Sequence, residues 1–106
     1  MIIFNTTFHV HELVVESFKK WIKDVYIPDA LLTDGVSSPE FARIMIEVQE
    51  GYASFAVQFK ADSHETAVEW HDGRGAALRN ELISRFGDRI LFFTTYMELI
   101  SQGDKR

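Results

Sequence analysis

Residues 2 to 10, IIFNTTFHV, set Ile2, Phe4, Phe8 and Val10 on one side of an extended chain and Asn5, Thr7 and His9 on the other. Side chains of a strand alternate between its two faces, so this period of two predicts a strand with unlike faces. From Glu12 to Ile27 the period lengthens: Val14, Phe18, Trp21, Ile22 and Val25 recur at helical spacing, while Glu16 and Lys20 pair on the exposed side. An amphipathic helix is expected there. Pro28 has no N–H to donate to the preceding turn, so the helix kinks or restarts, with PDALLTDG a short second piece ended by Gly35. Residues 41 to 48 alternate again, Ala42, Ile44, Ile46 and Val48 against Phe41, Arg43, Met45 and Glu47, and predict a second strand. QEGY supplies a turn, and Ala53, Phe55, Val57 and Phe59 alternate with Ser54, Ala56 and Gln58, so strands two and three should form a hairpin. Asp62, with Glu65 three residues on, has the spacing of a capping box for a helix running to about Phe86. Gly87 suits a left-handed stop, and RILFFTTYMELI predicts a last strand with Leu91, Phe93, Met97 and Leu99 on one side.

The order strand, helix, strand, strand, helix, strand predicts an α+β fold: a ferredoxin-like βαββαβ sandwich, with a four-stranded antiparallel sheet carrying two helices on one face. A single domain over residues 1–100 is expected, with 101–106 a disordered tail. The covered face is assigned to Phe4, Phe8, Ile44, Ile46, Phe55, Val57, Phe93 and Met97. The open face then carries Asn5, Thr7, His9, Arg43, Met45, Glu47, Ser54, Gln58, Phe92, Thr94 and Tyr96, a mixture too apolar in places to stay wholly wet. Burying it against a second copy resolves this, and predicts a homodimer paired through its sheets.

Composition narrows the function classes. The 106 residues are 46% hydrophobic and 25% charged, ordinary values for a folded domain. A net charge of -5, with Lys19, Lys20 and Lys23 the one basic cluster, argues against nucleic acid as a partner. An RNA-recognition reading using Phe92 and Phe93 fails further, because the exposed set on the third strand is Ser54, Ala56 and Gln58. Zero cysteines excludes thiolate metal sites and thiol catalysis. No apolar run approaches the roughly 20 residues of a membrane span, and the opening residues carry no secretory signal, so a cytoplasmic protein without a membrane partner is expected.

Gly73-Arg74-Gly75-Ala76-Ala77-Leu78 begins like a dinucleotide fingerprint but lacks its third glycine and sits inside a helical pattern, not after a strand. Each interior glycine costs about 1 kcal/mol relative to alanine, so the pair calls for close packing or a helix break. A helix restarted at Asp72 would leave backbone amides near Arg74, which makes Arg74 the candidate anion contact. His9 and His11 share a strand face, with Glu98 or Glu47 as conceivable third ligands, but a structural role is favoured and no metal or other cofactor is expected. His71 has Asp72 beside it, yet adjacent helical side chains diverge, which argues against a catalytic base.

The stretches MIIFNTTFHV, AVEWHDGRGAALRNEL and FGDRILFFTTYMELI resemble a bacterial family catalogued as a domain of unknown function. The resemblance spans nearly the whole chain and implies no activity, cofactor or site. The architecture also resembles the dimeric α/β-barrel proteins, which pair through their sheets and include cofactor-free oxygenases and haem degraders. Haem-degrading members use an Asn, a Trp and a His, for which Asn5, Trp70 and His71 are the counterparts. Trp70 and His71 are adjacent, however, about 100° apart around a helix, so haem is not expected and Trp70 is assigned to the core or interface. Two functions follow. One is a noncatalytic homodimeric module binding a small molecule or a protein. The alternative is a small dimeric-barrel enzyme, resembling the cofactor-free oxygenases, that orients an anionic or aromatic substrate with His9, Arg43 and Tyr96.

Overall fold

A computed structural model describes residues 1–46 and 49–102. Strand β1 (Ile2–His11) leads through a 3-10 turn, Glu12–Val14, into helix α1 (Val15–Trp21). A π-helical turn over Ile22–Tyr26 joins α1 to α2 (Ile27–Leu31), and strands β2 (Val36–Ile44) and β3 (Tyr52–Ala61) follow. Helices α3 (His64–Asp72) and α4 (Arg74–Phe86) then precede β4 (Ile90–Glu98). The sheet order is β2-β3-β1-β4 with each neighbouring pair antiparallel, which is the expected ferredoxin-like arrangement.

Local chemistry accounts for the helix ends. The Leu13 amide donates to His11 Nδ1 at 3.1 Å, so the imidazole caps the turn that follows β1. At Pro28 the helix restarts as expected, with α2 beginning at Ile27. The backbone absorbs its missing donor by widening into the π turn immediately before it, a recognised way of accommodating a break in the hydrogen-bond ladder. The second cap differs from expectation: Ser63, not Asp62, receives the Thr66 amide, at 3.1 Å. Asp62 lies one residue before the cap, and its amide donates to the Gly35 carbonyl at 2.9 Å.

Phe4, Thr6, Phe8 and Val10 of β1 and Phe55, Val57, Phe59 and Ala61 of β3 are buried beneath the helices. Phe18, Trp21, Ile22 and Tyr26 descend on them from the first helical segment, and Ala67, Trp70, Leu78 and Leu82 from the second. Ring contacts such as Phe8 to Phe18 at 5.1 Å and Phe4 to Phe59 at 5.3 Å knit both halves into one core.

Two strands present the opposite faces to those expected. In β4, Phe92, Thr94 and Tyr96 lie across from Phe8, Thr6 and Phe4, so they turn toward the helices, while Leu91, Phe93 and Met97 take the open face. In β2 a bulge between Ser37 and Glu40 opposes Ser38 and Pro39 to one residue of β3, with Ser38 at φ 54°. One extra residue exchanges the faces of everything beyond it. Phe41 and Arg43 thus turn to the helix side opposite Val57 and Phe55, and Ile44 joins the open face. Strand β2 also starts earlier than expected and ends at Ile44. Met45 and Ile46 follow it exposed, and Glu47 and Val48 lie outside the described residues. Of the expected tail, Ser101 and Gln102 are exposed and without regular structure, and residues 103–106 lie outside the description.

Candidate functional site

The glycine pair resolves into a break and a recess. Gly73 separates α3 from α4, and its amide donates to the Glu69 carbonyl at 3.1 Å. Gly73 itself, not Asp72, occupies the cap position of α4. A Cβ on Gly75 would stand 2.9 Å from Arg79 Nη1 and 3.0 Å from both the Trp70 ring and the Trp70 carbonyl. The missing side chain is therefore the space that Arg79 fills.

Arg79 is 4% exposed, although it carries a charge. Its Nη1 donates to the Tyr26 hydroxyl at 3.0 Å and its Nη2 to the His71 carbonyl at 2.6 Å, and its guanidinium lies 5.6 Å from the Phe92 ring centre. The carbonyl belongs to the last turn of α3, the negative end of that helix, so the buried cation is held by the broken helix terminus. His71 extends the cluster. Its Nε2 is 2.7 Å from Thr94 Oγ1, which is 2.8 Å from Thr6 Oγ1, and its Nδ1 is 3.1 Å from the Asp72 carboxylate. Burial lowers the His71 pKa, the Asp72 hydrogen bond opposes the shift, and the neighbouring Arg79 charge adds to it. Tyr96 packs edge-on against His71 and His64, and its pKa is raised by burial and then by the Asp72 charge. Arg79 is not among the site residues expected from the sequence. The signal was there: an arginine one turn beyond Gly75, on the helix side otherwise marked by Leu78 and Leu82.

His9, Arg43 and Tyr96 do not converge. His9 is on the open face, stacked on Tyr52 at 4.6 Å, with Nδ1 3.2 Å from Ser54 Oγ and Nε2 3.3 Å from Gln49 Oε1. Arg43 is on the helix side of the sheet edge, in a cleft of about 590 Å³ shared with Glu12, Glu16, Tyr52 and Ser54. Ser54 is thus the link between His9 and that cleft. Tyr96 is across the sheet, under α3. Arg74 donates to Asp29 Oδ2 at 2.5 Å, and Trp70 Nε1 donates to Oδ1 of the same carboxylate at 3.0 Å. Burial tends to raise the Asp29 carboxyl, but the Arg74 and Trp70 bonds and the Arg74 charge outweigh it and the net shift is downward. The anion at Arg74 in the folded chain is therefore an internal one.

The remaining sequence candidates are similarly accounted for. His11 spends Nδ1 on its cap, Glu98 lies opposite Ile2 on the helix side, away from the histidine pair, and Glu47 is outside the described residues. No group of three or more metal-ligating side chains occurs among the described residues. Asn5 is on the open face, whereas Trp70 is in the core and His71 beneath α3, on the other side of the sheet.

The open face has its own character. Phe93 is 64% exposed, Leu91 57% and Met97 39%, an apolar stripe along β4. Beside it run Asn5, Thr7 and His9 of β1 and Ser54, Ala56 and Gln58 of β3. Glu40 and Lys60 are the charged strand residues on this face among those described, one of each sign.

Residues 1–100 match the family described as "Domain of unknown function (DUF4286)". No curated protein matches the chain. Among solved structures it is similar to a Deinococcus radiodurans protein named as a candidate antibiotic biosynthesis monooxygenase, with a TM-score of 0.72 and 13% identity, covering 100% of this chain and 99% of that one. HapK from Hahella chejuensis follows at 0.69 and 11%, covering 100% and 99%. A dimeric ferredoxin-like protein from an uncultured marine organism has a TM-score of 0.59 at 11% identity, covering 96% and 98%. At these identities the shared property is the ferredoxin-like fold. Among the described residues no helix is long and apolar enough to cross a membrane.

Proposed function

The chain belongs to the DUF4286 family, whose description carries no activity, and from its surface we propose that it is a noncatalytic homodimeric module, pairing through the open sheet face and binding a small molecule or a protein partner. The observation that carries this reading is the stripe of Leu91, Phe93 and Met97 on a face whose strand charges cancel. A chain of net charge -5 repels its own copies overall. Among the described residues the strands of this face offer apolar area with one Glu and one Lys, so two copies meet there without a net like-charge penalty. One of the structural neighbours is itself described as dimeric, which agrees with this reading.

The cleft beside Arg43 and Ser54 is the proposed ligand position, with His9 reaching it through the Ser54 hydroxyl. An oxygenase-like enzyme would need His9, Arg43 and Tyr96 around one substrate, and their separation across the sheet favours binding over catalysis.

Light-scattering mass at micromolar concentration tests the pairing. Two chains of 12.2 kDa each are expected for the wild type, and one for Phe93→Glu with its circular dichroism retained. A wild-type mass of one chain defeats the proposal.

A further inference from the structure

The three lysines of the basic cluster separate in the fold. Lys20 pairs with Asp24 at 2.9 Å. Lys19 of α1 and Lys23 of the π turn, four residues apart along the same helical segment, instead share a recess with strand β2. There they meet Arg43, which lies beyond the bulge at Ser38 and Pro39 and so on the helix side. These three cations line a space of about 200 Å³ together with Phe41, Ala42 and Phe55.

The charges of this recess are poorly compensated. Neither Lys23 nor Arg43 has an ion pair among the described residues. Lys19 has Glu16 at 3.4 Å, but that carboxylate side chain is 87% exposed, and a pair so open to water is weak. Gathering like charges costs free energy, yet of the 16 acidic residues in the chain only Glu16 pairs with this set among the described residues. The floor has the opposite character. Phe55 is 2% exposed, and Phe41 lies half-buried against it at 5.8 Å, with Phe18 behind both rings. Lys19 Nζ is 6.0 Å from the Phe55 ring centre. Exposed cations above aromatic rings suit an anion carried on a flat apolar body better than a fully hydrated one. The planar fork of Arg43 matches the two oxygens of a carboxylate, and Phe41 offers a ring for another ring to pack on.

We infer that this recess binds the carboxylate of a small aromatic acid, with Arg43 and Lys23 holding the carboxylate and the ring lying over Phe41. Arg43 also borders the 590 Å³ cleft, where Glu12 and Glu16 repel an anion, so the charged end of the ligand lies on the lysine side and the cleft receives any substituent of the ring. The inference rests on the small-molecule half of the function proposed above, to which it gives a ligand class, and is independent of the pairing.

Titration of benzoate into the full chain, followed by nuclear magnetic resonance, tests this, with benzamide as the uncharged counterpart and inorganic phosphate as the anion without a ring. Benzoate is expected to bind saturably, with Arg43, Lys23 and Phe41 shifting together. Benzamide should bind about tenfold more weakly, as should benzoate to Arg43→Met, each change removing about one charge-assisted hydrogen bond. Phosphate should bind more weakly than benzoate. Lys20→Met, which removes the same charge from the surface beside the recess, should leave the affinity unchanged, and circular dichroism checks that both variants fold. Benzamide or phosphate binding as tightly as benzoate overturns the inference, and so does an affinity unmoved in Arg43→Met or lowered equally in Lys20→Met. Shifts confined to Tyr52 and Ser54 would refute the recess and leave the larger cleft as the ligand position, whereas shifts at neither would refute both.

Discussion

Replacing Gly75 by alanine inverts the usual expectation for a helical glycine. In an unobstructed helix the change adds about 1 kcal/mol of stability through propensity alone. Here the new methyl would stand 2.9 Å from Arg79 Nη1 and 3.0 Å from the Trp70 carbonyl oxygen. The oxygen is fixed in the last turn of α3, so the guanidinium has to give. Overpacking of this kind costs about 1–3 kcal/mol. If Arg79 is pushed off the Tyr26 hydroxyl, a buried charged hydrogen bond worth about 1.5–3 kcal/mol is lost as well. The steric and hydrogen-bond costs exceed the propensity gain, and a net loss of about 2 kcal/mol is expected. For a domain of this size that lowers the melting temperature by on the order of 10 °C. Urea and thermal unfolding should be compared at one protein concentration, because the proposed pairing would couple stability to concentration. Gly75→Ala as stable as the wild type would refute the reasoning. A double-mutant cycle localises the effect: in an Arg79→Met background the alanine should cost less by about 1 kcal/mol, and an unchanged cost would show that Arg79 is not what it strikes.

Phe93→Glu should halve the solution mass without loss of secondary structure. Because the His71 pKa is lowered on folding, the unfolded chain binds the proton more readily, so stability is full above about 6.5 and declines as pH falls toward the folded value; His71→Gln should flatten that limb in urea midpoints against pH. The folded Asp29 carboxyl is lowered, so its stabilising contribution is present above the ordinary carboxyl range of about 3.9 and fades in acid; Arg74→Ala should remove most of that dependence, and an unaltered acid limb would count against the pairing. Phe8, which is 0% exposed and in ring contact with Phe18, Tyr26 and Phe92, should cost about 3–5 kcal/mol when truncated to alanine, read from the urea midpoint.

The element order was legible because period changes are strong signals, and strand, helix, strand, strand, helix, strand is the order of the ferredoxin-like sandwich. Which face of each strand was buried was legible only where one face is plainly polar. In β1, Asn5, Thr7 and His9 leave no choice. In β4, Ile90, Phe92, Thr94 and Tyr96 are no more apolar than Leu91, Phe93, Thr95 and Met97, so alternation alone could not choose the inward set. In β2 the bulge at Ser38 and Pro39 shifts the phase by one, and only pairing with β3 fixes it. The same two inversions scattered the expected site, since they carried Arg43 and Tyr96 to the helix side and left His9 behind. They also moved Leu91, Phe93 and Met97 outward, so the open face exposes an apolar stripe along β4. The glycine pair shows the complementary limit. Its spacing announced that something must approach the helix closely, but the approaching group was a charged side chain one turn along the same helix. An arginine among Leu78 and Leu82 is legible only once a buried partner, here the α3 terminus freed by the Gly73 break, is known to receive it.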